Sequence, residues 1–235
     1  MKQELPKATR DLVDQYLGIR VGRWRVACPY FMNKRGRKGL SVVEAGKGLP
    51  MEIEIEIEKW YEKYKSVVLD ATDAKNLMIL VQVGVDCSGF AVNILDSFLQ
   101  ESGKKSLYEV VNWGWGKRVI WGKLRPRMNI SSDLLTGKLN SERLDLTDVQ
   151  PGDLIRRGKS HVMVVEWVEI DKNGRLRLGY IGSSTRPEWG VQRGEIEIGD
   201  VKKPLEDQKW SVADDLGIFK TTEGEKGLVR LKLGR

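Results

Sequence analysis

Gly84-Val85-Asp86-Cys87-Ser88-Gly89-Phe90 is the stretch on which the reading of this chain turns. From Phe90 onward, Ala91, Ile94, Leu95, Phe98 and Leu99 recur at helical spacing and make one apolar stripe. Asp86 suits an N-cap, and Gly103 suits a stop. The spacing predicts a helix over 86–100 that opens on Cys87. A first-turn cysteine sits where unpaired amides and the positive end of the helix dipole converge. That environment favours a thiolate and offers donors to an oxyanion. The competing reading of a lone cysteine is an inert thiol under a capped helix. Ser88 and Gly89 are small and are expected to leave room for a substrate beside the sulfur.

Upstream, Leu12, Val13, Tyr16 and Leu17 mark a helix over 9–17, and 20–27 is short and partly apolar. A Gly- and Lys-rich loop follows from Asn33 to about Gly48. In 50–58, Ile and Glu alternate as in a strand. Pro50, however, suits a first helical position, and Ile53, Ile57, Trp60, Tyr64 and Val68 continue at helical spacing. A helix over 50–69 is predicted. After Val149 the pattern becomes β, with Val-rich 161–170, then 176–181, then 190–198. Asp171-Lys172-Asn173-Gly174 carries a hairpin signal between the first two. Helices first and strands later predict an α+β fold, with helices packed on an antiparallel sheet.

Composition narrows the chemistry. The chain has 235 residues, one histidine (His161), two cysteines (Cys28 and Cys87) and a net charge of +7. A zinc site of several histidines, a four-cysteine metal site and a disulfide-stapled mini-domain are excluded or disfavoured. The length suits one large domain, 1–235, able to bury a core. No stretch approaches the roughly 20 apolar residues of a membrane span, and residues 1–10 lack the apolar core of a signal peptide. The compartment stays open: cell wall or extracellular if an export signal was removed, cytoplasmic otherwise. The basic surface favours anionic partners. Lys34-Arg35-Gly36-Arg37-Lys38, Arg125 with Arg127, and Arg156-Arg157 read as solvated loops.

Downstream stand Gln150-Pro151-Gly152-Asp153-Leu154 and Ser160-His161-Val162. A histidine opening a strand is often only a satisfied edge residue. Paired with a helix-opening cysteine, it becomes the base for a nucleophile. The Gly84–Phe90 heptad resembles the nucleophile motif of the NlpC/p-sixty cysteine peptidases, and the Gln150–Val162 stretch resembles their second motif, in the right order. Leu12-Val13-Asp14-Gln15-Tyr16-Leu17-Gly18 and Pro29-Tyr30 resemble the family's leading helix and Pro-Tyr segment. The resemblance covers about 11–185. It implies a papain-like fold and acyl transfer to Cys87 with His161 as base. It also implies peptidoglycan or its peptide fragments as substrate, cut for instance at a D-γ-glutamyl–diamino acid amide. Tyr30, Asp86, Ser88 and Gly89 would line the site, and no metal or cofactor is implied.

Three departures stand out. Tyr30 and Cys87 are 57 positions apart, so 33–80 reads as an insertion bordering the cleft. The third catalytic position falls near Gly182, which leaves Ser184, Ser183 or water to orient His161. Residues 187–235 read as a C-terminal extension without a motif. Trp113, Trp115 and Trp121 make either a glycan-stacking platform or, the preferred reading, a packed aromatic group. Trp167 is expected in the core, and Cys28 as a buried inert thiol. Three other functions compete with the peptidase: a non-catalytic wall-binding module, a Cys–His amidase or acyltransferase, and a nucleic-acid binder. The last rests on charge alone, without a recognisable motif.

Overall fold

A computed structural model describes residues 1–32, 41–115, 117–158, 160–184, 189–221 and 223–232. The first half holds β1 (Lys2–Glu4), α1 (Lys7–Leu17), β2 (Ile19–Val21), β3 (Trp24–Val26), α2 (Pro50–Tyr64), α3 (Ala71–Leu80) and α4 (Cys87–Glu101). Four short helices follow: α5 (Leu107–Val110), α6 (Lys117–Leu124), α7 (Pro126–Asn129) and α8 (Ser132–Thr136). The second half holds β4 (Ser141–Arg143), β5 (Leu154–Arg157), β6 (His161–Ile170), β7 (Leu176–Ser183), β8 (Val191–Ile198), β9 (Lys209–Trp210), α9 (Ala213–Thr221) and β10 (Lys226–Leu231). The class is α+β with an antiparallel sheet.

Among the described residues the sheet runs β4-β10-β5-β6-β7-β8-β9, with β1 paired to β6. Every pair in it is antiparallel. The described part of 187–235 is therefore no appendage. It supplies β8 and β9, and β10 lies between β4 and β5. Arg230 of β10 holds the buried Asp153 with two hydrogen bonds of 2.8 Å. The other use of Asp153 is local, since one carboxylate oxygen accepts from the Gln150 amide at 2.7 Å. The Pro-Gly-Asp motif thus anchors the last strand to the turn before β5.

Strand alternation divides the core into two apolar clusters. Leu154, Val162, Val164 and Ile181 join α1, α2, α3 and α4 in one cluster. Ile155, Met163, Val165, Leu178 and Tyr180 join Trp210, Phe219 and Leu228 in the other. Trp167 departs from the expectation of a core residue. It is half-buried, with Lys2 and Arg177 over its ring at 5.0 and 5.7 Å. Its place on β6 faces Gly179, where a Cβ would lie 2.0 Å from the indole nitrogen.

The region expected as an insertion is integral wherever it is described. α2 starts where Pro50 predicted, and Glu52 accepts the Leu49 amide at 2.7 Å. It ends at Tyr64, short of the predicted 69. Asp70 then caps a helix the pattern did not reveal, accepting the Asp73 amide at 2.8 Å. Val68 keeps the helical phase in sequence but is buried from the connecting turn. Ile53, Ile57 and Met78 enter the same cluster as Phe90 and Ile94. Residues 33–40, with the whole basic run Lys34–Lys38, lie outside the described residues. At the other end of α4, the Glu101 carboxylate accepts the Ala8 and Thr9 amides, both at 2.9 Å. That long-range cap serves α1, whose own N-cap, Pro6, has no side chain able to do so.

Candidate active site

Cys87 is the first residue of α4, as predicted. Asp86 caps the helix by accepting the Gly89 amide at 2.5 Å. The Phe90 amide bonds to the Asp86 carbonyl. The amides of Cys87 and Ser88 are left as first-turn donors with no acceptor among the described residues. Free first-turn amides of this kind are able to donate to an anion.

The start of α4 is covered from the other side at Asp86, Ser88 and Gly89. Residues 41–48 run along the start of α4, and the Asp86 amide bonds to the Gly46 carbonyl at 2.9 Å. Lys47 is buried, 6% exposed, and its Nζ donates to Asp86 Oδ1 at 2.8 Å, to Ser88 Oγ and to the Ile130 carbonyl. A Cβ on Gly89 would lie 2.4 Å from the Gly46 carbonyl oxygen. Gly89 is therefore required for this close approach, and it makes no room for a substrate. Ser88 is likewise committed, donating to Asp86 at 3.0 Å. Asp86, Ser88 and Gly89 build the seat of Cys87. Sequence reading missed Lys47, a lysine in a Gly-Lys-Gly loop with no motif around it.

Tyr30 comes to the site despite its distance in sequence. It forms a parallel bridge with Val85, and the Val85 amide bonds to the Pro29 carbonyl at 3.1 Å. A Cβ on Gly84 would lie 2.3 Å from that carbonyl, so the first motif glycine admits the Pro-Tyr segment. Burial, then the charges of Cys87 and Asp86, hold the Tyr30 phenol well above its usual range. Cys28, beside it, is a free buried thiol, as expected.

His161 opens β6 and is 2% exposed. Cys87 Sγ lies 3.3 Å from the carbonyl of Ser160, the preceding residue, and 3.5 Å from Ser132 Oγ. The structure thus brings the start of α4 onto the start of β6. No hydrogen bond joins Sγ to the imidazole. In sequence parity His161 matches Met163 and Val165, whereas Val162 and Val164 pack in the α4 cluster. Its Nδ1 is buried without a hydrogen-bond partner, an arrangement that costs about 1–3 kcal/mol.

The charge states differ from the sequence expectation. Burial first, then the Asp86 carboxylate, raises the Cys87 thiol above its ordinary value. The Ser132 hydroxyl, the Lys47 ammonium and the Val162 amide pull the other way without prevailing. Placement at a helix start was expected to lower it; burial wins. Burial and the Arg157 charge push the imidazole well below its usual range. The resting pair is a neutral thiol and a neutral imidazole, the form in which His161 can accept a proton.

The neutral imidazole makes stability depend on pH. Below about pH 6.5, His161 of the unfolded chain takes up a proton that the folded chain refuses. Stability is then expected to fall as pH drops through 6.5, at up to about 1.4 kcal/mol per pH unit from this group. Chemical denaturation at pH 7 and pH 5 should show a smaller loss for His161→Gln than for the parent. Equal losses would show that the folded imidazole titrates freely.

The candidates for orienting His161 separate. Ser183 Oγ donates to the Val85 carbonyl at 2.7 Å and so clamps β7 to the segment before Cys87. Continuing the β6–β7 register from Val164–Ile181 places Ser184 across from His161. A Cβ at Gly182 would lie 2.7 Å from Met163 Cγ, so Met163 occupies the space a third catalytic side chain would need.

The remaining expectations also divide. Arg156 and Arg157 are both buried in β5 and are not solvated. Trp113 is packed, with a Cβ on Gly122 falling 2.2 Å from its ring, while Trp115 is 97% exposed. The Trp121 side chain lies outside the described residues. No described helix is long and apolar enough to cross a membrane. Searched against family models, curated proteins and solved structures, the chain matches no family model, no curated protein and no solved structure.

Proposed function

We propose that this chain is a papain-like cysteine peptidase of the NlpC/p-sixty type, hydrolysing an amide in peptidoglycan stem peptides. The observation that carries the reading is the 3.3 Å contact between Cys87 Sγ and the Ser160 carbonyl. It joins the start of α4 to the start of β6, the two places where the motifs resembling that family lie. In the proposed reaction His161 takes the thiol proton as Cys87 Sγ attacks the amide carbon. The Cys87 and Ser88 amides hold the oxyanion. The C–N bond breaks, His161 returns the proton to the leaving amine, and water hydrolyses the thioester.

A second reading is favoured by specific observations. The thiol is raised, the Cys–His hydrogen bond is open, and Met163 fills the space at Gly182. These suit a module that binds peptidoglycan without cutting it. Mass spectrometry of defined muropeptides after incubation separates the two. The peptidase reading expects new fragments from the parent protein and none from Cys87→Ala. Retention on insoluble peptidoglycan with no fragments from either protein supports the binding module. Turnover of other amides or esters, with muropeptides left intact, points to a Cys–His amidase or acyltransferase. The same assay on an exported and a cytoplasmic fraction of the source cells would place the activity in the wall or inside.

A further inference from the structure

Two residues apart, Trp113 and Trp115 take opposite environments. Trp113 is packed against Gly122, whereas Trp115 is 97% exposed, the most open large apolar side chain among the described residues. The turn that carries them is braced. The Asn112 amide donates to Asn140 Oδ1 at 2.7 Å, and Asn140 Nδ2 donates back to the Asn112 carbonyl at 2.9 Å. The Gly114 amide donates to Asn112 Oδ1 at 3.0 Å, and Gly114 turns the chain at a φ of 74°, where glycine is favoured. α6 extends the apolar surface. Val119 packs on the α4 cluster and Gly122 is buried under Trp113. Ile120 and Leu124, one turn apart, are left 61% and 67% exposed. Leu139, also exposed, comes from beyond α8 to sit beside Gly114, whose added Cβ would lie 3.5 Å from Leu139 Cδ2.

Charge says what this surface meets. Between Glu109 and Asp133 the sequence holds five basic residues, Lys117, Arg118, Lys123, Arg125 and Arg127, and no acidic one. This stretch therefore contributes +5 to the chain's net +7. Arg127 is engaged by Glu52 at 2.7 Å and Asp133 by Arg156 at 3.2 Å, while Lys123 and Arg125 are exposed. A glycan stacks sugar faces on aromatic rings and gains little from exposed aliphatic side chains. The boundary between lipid headgroups and acyl chains takes both kinds of group. Trp, Ile and Leu enter it, and Lys and Arg meet the lipid phosphates. We propose that the Trp115 turn and the exposed side of α6 dock on an anionic phospholipid surface without spanning it. The inference is independent of the reaction proposed at Cys87.

Co-flotation with vesicles tests this. The parent protein should float with phosphatidylcholine vesicles that contain about 30 mol% phosphatidylglycerol, and should stay behind with phosphatidylcholine alone. Raising the salt from about 0.1 M to about 0.5 M should release it, because the Debye length shortens. Trp115→Ser combined with Leu124→Ser should lower partitioning about tenfold, and so should Lys123→Glu combined with Arg125→Glu. Leu80→Ser removes an equally exposed leucine, on α3, and should leave binding unchanged. Circular dichroism checks that each variant is folded. If one pair does not fold, the lipid and salt dependence of the parent, with the other pair, still decides. Flotation with neither vesicle, equal flotation with both, or a loss in Leu80→Ser as large as in the Trp115 pair overturns the proposal. Retention on insoluble peptidoglycan that Trp115→Ser removes, with no vesicle binding, also overturns it and makes the surface a glycan platform.

Discussion

Replacing His161 with glutamine is expected to lower turnover of a stem-peptide substrate about 10³-fold, with little change in KM. General acid–base catalysis is typically worth 10²–10⁴-fold. This chain has one histidine, so no second imidazole stands in for it. Glutamine keeps a polar side chain of similar reach at the start of β6, and Nδ1 has no hydrogen bond to lose. The loss should therefore fall on kcat. The pH profile should change as well. Because burial raises the Cys87 thiol, activity of His161→Gln should climb with alkaline pH as hydroxide replaces the base. The parent should plateau earlier. Steady-state kinetics over pH 6 to 10 checks this, and a variant with parental kcat would remove His161 from the mechanism.

Lys47→Met is expected to destabilise the protein by about 3–5 kcal/mol, the usual effect of removing one partner from a buried ion pair. Methionine fills nearly the same space, so the effect should be electrostatic. It would leave the Asp86 carboxylate buried opposite no cation and deprive Ser88 Oγ and the Ile130 carbonyl of a donor. Native domains hold about 5–15 kcal/mol in all, so the variant should sit near its unfolding threshold. Lys47→Met combined with Asp86→Asn should recover part of the loss, because the neutral amide still caps Gly89 without an uncompensated charge. Urea denaturation of the two single variants and the pair measures the coupling. Simple additivity would mean that Lys47 serves only as packing.

The two effects have different origins in sequence. His161 was legible because it is unique and stands on a Val-rich strand behind Pro-Gly-Asp. Lys47 was not, since a lysine in a glycine-rich loop usually faces water. Its burial comes from a carboxylate 39 positions away in the chain, reached when 41–48 lies along α4. The Arg156-Arg157 pair misleads in the same way. Charge suggests solvent, yet β5 lies between β6 and β10 in the interior of the sheet, where both arginines are covered. β10 itself carried no signal that set it beside β5. Its six residues need the buried Asp153 and the neighbouring strand edges to fix their place.

Local chemistry determined a good deal by itself. Asp86 with the stripe behind it required a helix opening on Cys87, and Asn173-Gly174 with flanking β-branched runs required the β6–β7 hairpin. Both signals act within one turn or one ladder, so sequence periodicity records them. The tertiary structure alone decided what surrounds the sulfur. It filled the space at Gly89 with Gly46, set Met163 against Gly182, brought Tyr30 alongside Val85, and covered Arg157. The physical reason is desolvation. Whether a thiol, an imidazole or a guanidinium is charged depends on which distant segments exclude water from it, and no periodicity along the chain encodes that.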